Sequence, residues 1–366
     1  MICLKQQLSI QQGETPMATI RDISKAAQVS PGTVSRALNP EQQSSVSKAT
    51  RLKVQKIARE MAYQLPQKKT KTAPKQKKLP PVRHFIVLNT HTPEEEAKDE
   101  YWRLVRLGIS EQAKKENIAI DQVIDMNNGL DPETIAPYDA VLIVGTPSLD
   151  SVRQLKQANP NILVVDGGSY FENSVDIVST NFDELTKAIL DTLAAHTTKD
   201  IALINGPRIE LQLDGSRLDG AEDPRTLAYR EWVEIHHKKQ LFKQTAWSNT
   251  AAKLACDELL AQNGANLGAI VVASDSLFVI GVMKSLAEHH LVVGRDIFLV
   301  SYDDADFAQF LTPALSTAWL PKAELGAAAV IHAKTLSDTT AKTWTTRVIL
   351  PGEVKYRETF DPKRSS

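Results

Sequence analysis

The stretch "TIRDISKAAQVSPGTVSRALN", residues 19–39, decides how the amino-terminal part of this chain folds. Thr19 with Asp22 three residues on forms a capping-box pattern, and Ile20, Ile23 and Ala27 then share one helical face. The segment "AQV" that follows leaves room only for a tight corner. Ser30 is placed to cap a second helix. Pro31 takes the first helical position, where its missing N–H costs nothing, and Val34 and Leu38 lie four residues apart. A third helix starts near Ser47 and carries Val54, Ile57, Ala58 and Met61 at helical spacing. These signals predict a three-helix, helix-turn-helix unit over residues 17–63.

The polar side of the second helix is chemically rich. Gly32 has no capping role and lets the backbone come close to a surface such as a groove wall. Thr33, Ser35, Arg36 and Asn39 are short or forked hydrogen-bonding residues, and Arg36 can offer two donors to O6 and N7 of guanine. Hydroxyls and helix N-termini suit phosphates, which position a protein on DNA without specifying sequence. A solvated polar face has the same composition. The formal net charge of the 366-residue chain is only −1, so nucleic-acid binding must come from a local patch.

Residues 64–84, "QLPQKKTKTAPKQKKLPPVRH", hold seven Lys/Arg, four prolines and no acid, and read as an extended basic linker over 64–82. From Phe85 the pattern changes. Apolar runs such as "FIVLN", "AVLIVG", "NILVVDG", "IALING", "AIVVASD" and "IFLVSYDD" alternate with helical-period segments. Continuous apolar strands interleaved with helices predict an α/β, doubly wound architecture of about two units.

Other classes find little support. No run approaches the ~18 apolar residues of a membrane span. Residues 1–16 lack the apolar core and cleavage site of a secretory signal and read as a disordered extension or an upstream start, which predicts a cytoplasmic protein. Cys3 and Cys256 are too few for a disulfide framework or zinc site, and the adjacent pairs His236–His237 and His289–His290 do not converge on one ion. No metal or cofactor is expected. The chain has no phosphate-binding GxxxxGK[ST] loop, no GxGxxG fingerprint and no GxSxG elbow, which argues against an enzyme.

In open α/β sheets, ligands gather beyond the carboxyl ends of the strands. Asp166 closes "NILVVD", Ser274 and Asp275 close "AIVVASD", and Asp303 and Asp304 close "IFLVSYDD". Each alone is also an ordinary cap or turn residue. With Arg225 and Trp247 they make the set a neutral sugar requires: charged groups that bridge neighbouring hydroxyls, and an indole face for the C–H side of the ring. Asp275 is expected to orient the local helix and not to touch ligand.

"MATIRDISKAAQVSPGTVSRALN" followed by "IAREMAY" resembles the headpiece of the LacI/GalR family of bacterial transcription regulators. "VASDSLFVIGVMKSL", "GRDIFLVSYDDADF" and "TPALSTAW" are similar to that family's regulatory core. "KDEYWRLVRLGISEQ" with "EDPRTLAYREW" looks closest to its repressors of β-galactosidase (lactose/galactoside) operons. The resemblance implies a core of periplasmic-binding-protein type, with an N-subdomain over 83–179 plus about 321–343 and a C-subdomain over 180–320 plus about 344–360. It further implies operator choice tuned at Pro31 and Gly32, and further DNA contacts at Thr33, Ser35, Arg36 and Asn39. Phosphate anchors are implied at Thr19, Ser30, Ser47 and Thr50. By matched position, Arg225, Asp303, Trp247, Ser274 and Asp166 would bind a sugar effector, a galactoside, whose binding releases operator DNA. The carboxyl end has no apolar heptad, so a homodimer without a coiled-coil tail is expected.

Two departures stand out. Residues 64–80 lack the family's hinge-helix pattern, and Pro66 and Pro74 oppose a helix, so their lysines are candidates for non-specific phosphate contacts. "RIELQLDGSRLDGAED" before Arg225 looks like an insertion. The rival readings are a regulator of the same family that responds to another sugar or a nucleobase, and a solute-binding protein, which shares the clamshell but not the headpiece.

Overall fold

The computed structural model describes residues 18–39, 42–63, 81–166, 171, 173–339 and 342–364. The extension over 1–16 and residues 64–80 of the basic linker over 64–82 lie outside the described residues. Two units emerge, divided at Pro80–Pro81.

The first unit is the three-helix head: α1 (Ile20–Ala27), α2 (Pro31–Leu38) and α3 (Lys48–Glu60). The Asp22 carboxylate accepts from the Thr19 amide at 2.9 Å and from its hydroxyl at 2.6 Å, starting α1. Gln28 turns the corner at φ 54°. Ser30 and Ser47 cap the next two helices by accepting from the amides of Thr33 and Thr50. The core is Ile23, Ala27, Val34, Ala37, Val54 and Ala58, all buried. Three of these six are alanines, which lets short helices approach closely.

The second unit runs β1 (Arg83–Asn89), α4 (Pro93–Lys98), α5 (Glu100–Lys115), β2 (Ile118–Asp125), β3 (Ala140–Val144), α6 (Leu149–Ala158), β4 (Ile162–Val165) and β5 (Asp176–Thr180). It continues through α7 (Phe182–Ala194), β6 (Asp200–Asn205), a hairpin of β7 (Ile209–Leu211) and β8 (Arg217–Asp219), α8 (Pro224–Ile235), β9 (Leu241–Gln244), α9 (Asn249–Asn263) and β10 (Leu267–Val272). It ends with α10 (Ile280–Glu288), β11 (Phe298–Asp303), β12 (Ser316–Trp319), α11 (Lys322–Asp338), β13 (Arg347–Leu350) and β14 (Glu353–Lys355).

Two six-stranded sheets result, ordered β13-β5-β4-β3-β1-β2 and β14-β12-β11-β10-β6-β9. Every pair is parallel except β12–β14, so helices must cover both faces, and the central strands are wholly apolar and buried. In the first subdomain α11 lies against α5 so closely that a Cβ on Gly108 would fall 1.9 Å from the Ala323 carbonyl oxygen. The chain passes between the subdomains three times, after β5, after β12 and after β13. All three crossings lie at the same side of the two sheets.

One boundary moves. The sequence reading returns the chain to the second subdomain at about 344, yet β13 pairs with β5 of the first sheet, Arg347 opposite Ile177. The buried Asp176 carboxylate holds it there, accepting from the Thr346 amide at 3.1 Å and from Lys342 and His332. The return comes only at β14. Among the described residues, no helix is long and apolar enough to cross a membrane.

Candidate functional site

The head presents its candidates outward. Thr19, Ser30, Pro31, Gly32, Ser35, Arg36 and Ser47 are exposed, and Thr33, Asn39 and Thr50 half-buried. Residues 18–63 carry eight Lys/Arg against three Asp/Glu, a basic surface in a chain of net charge −1. Arg36 rests along its own helix, its Nε donating to the Gly32 carbonyl at 3.2 Å. The Ser30 and Thr33 hydroxyls are 2.9 Å apart, and those of Ser47 and Thr50 2.8 Å apart, so each cap doubles as a paired-hydroxyl site at a helix N-terminus. A Cβ on Gly32 would meet nothing nearer than the Ser30 hydroxyl at 3.9 Å. Packing within the head therefore does not demand glycine there.

In the second unit, Asp166, Arg225, Trp247, Ser274 and Asp303 come together where the carboxyl ends of the two sheets face each other. Asp166 follows β4 at φ 64° and Asp303 ends β11 at φ 107°, sharp turns that aim short carboxylates into the cleft. Arg225 is the second residue of α8 and is held on every side. Its Nε and Nη2 each donate to the Asp223 carboxylate at 2.8 Å, and Nη1 donates to the Ala273 carbonyl at 2.7 Å. Three of its five N–H donors are thus spent on the described residues. The guanidinium lies 4.8 Å from the Phe182 ring centre, 5.4 Å from Tyr302 and 5.8 Å from Trp247.

Trp247 stacks on Phe278 at 5.0 Å and donates its indole N–H to the Pro207 carbonyl at 2.9 Å. The indole also lies against the backbone of Gly206, where a Cβ would fall 2.1 Å from the ring. The Ser274 hydroxyl accepts from the Leu277 amide at 3.4 Å and supports Asp303. Asp275 lies buried beneath, accepting from the Ala305 amide at 2.9 Å and the Thr317 hydroxyl at 3.0 Å, a structural role.

Burial sets the electrostatics. It pushes Asp166 up to about 7 against the pull of Arg225 and Arg208. It pushes Asp99 up to about 7 as well, with help from the charge on Asp303. Asp303 itself is raised by burial, which outweighs Lys322 and Arg225. Burial opposes the charge on Asp223, but Arg225 outweighs it and holds that carboxyl low. The site thus sets the charged Arg225 guanidinium among carboxyl groups, of which Asp166 and Asp99 change protonation near neutrality.

Several of these residues were not singled out from sequence. Asp223 caps α8 and Asp99 caps α5, accepting from the Tyr101 amide at 3.1 Å, so locally both look like ordinary caps. Tyr101 is buried between Asp166 and Asp303, and burial with those two charges pushes its hydroxyl pKa up. Lys322 is 5 % exposed and donates to the Asp303 carbonyl, tying the first residue of α11 to the end of β11. The Asp-Pro-Arg order of 223–225, an N-cap acid two residues before the arginine, is the signal that could have found Asp223. The pairs His236–His237 and His289–His290 are exposed at the ends of α8 and α10.

Comparison with known proteins is consistent with both halves. Residues 19–65 match the family model described as "Bacterial regulatory proteins, lacI family", and residues 190–360 match "Periplasmic binding protein-like domain". The chain is 29% identical over 317 residues to the HTH-type transcriptional regulator GalR of Streptococcus thermophilus, covering 86% of this chain and 91% of that one. It is 27% identical over 314 residues to the HTH-type transcriptional repressor MelR of Bacillus subtilis (strain 168), covering 85% and 88%. Its fold is similar to that of the lac repressor dimer bound to operator and the anti-inducer ONPF, with a TM-score of 0.62, 21% identity, and 94% and 99% of the two chains covered.

Proposed function

The chain belongs to the LacI family of bacterial regulatory proteins, and from that premise we propose that it is a cytoplasmic, homodimeric repressor of carbohydrate-utilisation genes whose grip on operator DNA is set by a galactoside. The observation that carries this is the cleft. Arg225, fixed by Asp223, faces Asp166, Asp99 and Asp303 beside the Trp247 indole, all in one chain with a basic helix-turn-helix head. A galactoside fits this donor set, because vicinal hydroxyls bridge a guanidinium and carboxylates while the C–H face of the ring lies on an indole.

The roles divide simply. In the head, Arg36 reads base edges, Pro31 and Gly32 bring α2 close to the groove, and the caps at Thr19, Ser30, Ser47 and Thr50 bind phosphates. Ligand contacts in the cleft draw on both subdomains, so the sugar favours one relative orientation of the two. That shifts operator affinity by the sugar's differential affinity for the two orientations, typically ~1–3 kcal/mol, in the direction of release. No covalent chemistry is assigned to the cleft. The relatives it resembles are transcriptional regulators.

The test pairs two assays on full-length protein. Titration calorimetry against a panel of galactosides, other sugars and nucleobases should give saturable heat with a galactoside. Fluorescence anisotropy on duplex DNA from the gene's own upstream region should show salt-dependent binding that the same sugar weakens. Binding of a nucleobase alone would overturn the galactoside, and absence of salt-dependent DNA binding would overturn the regulator.

A further inference from the structure

The three crossings between the subdomains lie on the β13, β5, β12 and β14 side of the two sheets, which makes that side the hinge of the clamshell. The opposite lip, beyond β1, β2, β6 and β9, is where such a clamshell would open. The β7–β8 hairpin leaves the carboxyl end of β6 at that lip and fastens onto the other subdomain.

The fastening is extensive. The Leu211 amide donates to the Thr146 carbonyl at 3.0 Å, and the Ser148 amide donates back to the Leu211 carbonyl at 2.9 Å. The Leu130 amide donates to the Leu213 carbonyl at 2.7 Å. The Leu211 side chain is 2 % exposed and belongs to the apolar core of the first subdomain, among Leu88, Met126 and Ile143. Arg217 makes two hydrogen bonds to the Glu95 carboxylate, at 2.8 and 3.1 Å, and two to the Asn127 side-chain amide oxygen Oδ1, at 3.0 and 2.8 Å. At the turn, Gly215 sits at φ +83° with its backbone so close to Asn127 that a Cβ would fall 2.4 Å from the Asn127 oxygen. A solvent-borne insertion needs none of these contacts.

We propose that the hairpin over residues 208–220 is a clasp across the mouth of the cleft, which must unfasten before a ligand enters or leaves. The hinge is covalent and permanent, whereas the clasp is a small set of hydrogen bonds, one apolar plug and one forked ion pair, all of which can break together. It rests on the reading of the cleft as a ligand site, but its mechanical part does not depend on which ligand that is.

Hydrogen–deuterium exchange on the full-length protein tests the mechanical part without any ligand. In the wild type, peptides over 208–220, 126–131 and 146–149 should be protected together. Arg217→Ala should speed exchange in the first two by about three- to tenfold and leave 267–272 in β10 unchanged. Leu211→Ser should free all three peptides by more than about thirtyfold, and Arg217→Glu combined with Glu95→Arg should regain part of the protection. Free-peptide exchange in the wild type, or no response to Arg217→Ala, would overturn the clasp. Stopped-flow tryptophan fluorescence with lactose as the probe tests gating. The observed rate should level off with lactose concentration, at a plateau at least about threefold higher in Arg217→Ala. A rate that stays linear in both proteins would overturn gating. If lactose gives no signal, the galactoside reading fails while the exchange experiment still decides the clasp.

Discussion

Asp223 grips Arg225 through two parallel hydrogen bonds of 2.8 Å while also capping the helix that carries Arg225 in its first turn, so one carboxylate fixes both the backbone and the charge of the site. Both side chains are nearly buried, 13 % and 11 % exposed. A buried cation released from such a fork would either swing to another carboxylate or draw in water.

Asp223→Asn should therefore leave the fold and the sugar-free operator affinity intact, because Asn still caps. It loses one arm of a charge-assisted fork, and sugar affinity should fall by about 1.5–3 kcal/mol, more than tenfold. Calorimetry with the cognate sugar and operator anisotropy without it check the two halves. A variant that binds sugar normally would remove Asp223 from the site.

The pH dependence of sugar binding follows from Asp166 and Asp99, both pushed up to about 7 by burial. A sugar hydroxyl donates to the ionised carboxylate, so below pH 7 binding must first expel a proton. Affinity should rise with pH and level off above about 7, with a slope approaching tenfold per unit for each carboxylate engaged, and Asp166→Asn should lower that slope by about one proton. The same two groups give the sugar-free protein the opposite trend. In the folded state they hold protons that the unfolded chain gives up between about pH 4 and 7, so their contribution to stability is full below about 4 and is lost as pH rises through 7. Calorimetric titrations and thermal melts from pH 5 to 8 separate the two effects.

Legibility from sequence tracked burial. Strands β1, β3, β4, β6, β10 and β11 stand out as apolar runs because both faces are covered. The strands that escaped include all four sheet edges, β2, β13, β9 and β14, where exposed and covered residues mix and the run breaks up. Misplacing β13 moved the last domain boundary. In the cleft, Asp166, Ser274 and Asp303 were legible because polar residues closing apolar strands are conspicuous. Asp99 and Asp223 were not, because each satisfies a helix N-terminus and so explains itself locally. The clasp was visible only as extra residues, since its partners at Glu95, Asn127 and Thr146 are far away in sequence.

The Trp247 indole has its edge fixed by the Pro207 carbonyl and one face by Phe278. Trp247→Ala removes the platform for the sugar's C–H face and should weaken sugar binding by about 1–2 kcal/mol, with Trp247→Phe intermediate. Gly206→Ala drives a methyl into the ring and should displace it. Its sugar affinity should fall as in Trp247→Ala although no ligand-facing group has been removed. Fluorescence titration and calorimetry on the three variants decide, and a Gly206→Ala protein with wild-type affinity would show that the indole's position is unimportant.

The proposed DNA contacts of the head predict that affinity and choice can be separated. Arg36 lies along α2 with its Nε on the Gly32 carbonyl, leaving the outer guanidinium nitrogens for a guanine edge. Arg36→Ala should cost ~1–3 kcal/mol per half-site on the cognate operator and little on unrelated DNA, so sequence preference collapses while salt-dependent binding persists. Gly32→Ala makes the complementary test. Open space around that position means the methyl is accommodated, and alanine should stabilise the helix by up to about 1 kcal/mol. If α2 lies tight against a groove wall, the same methyl should weaken operator binding despite the more stable head. Thermal melts and anisotropy on cognate and scrambled duplexes would reveal the two opposite signs, and a Gly32→Ala protein that gains stability at no loss of operator affinity would refute the close approach.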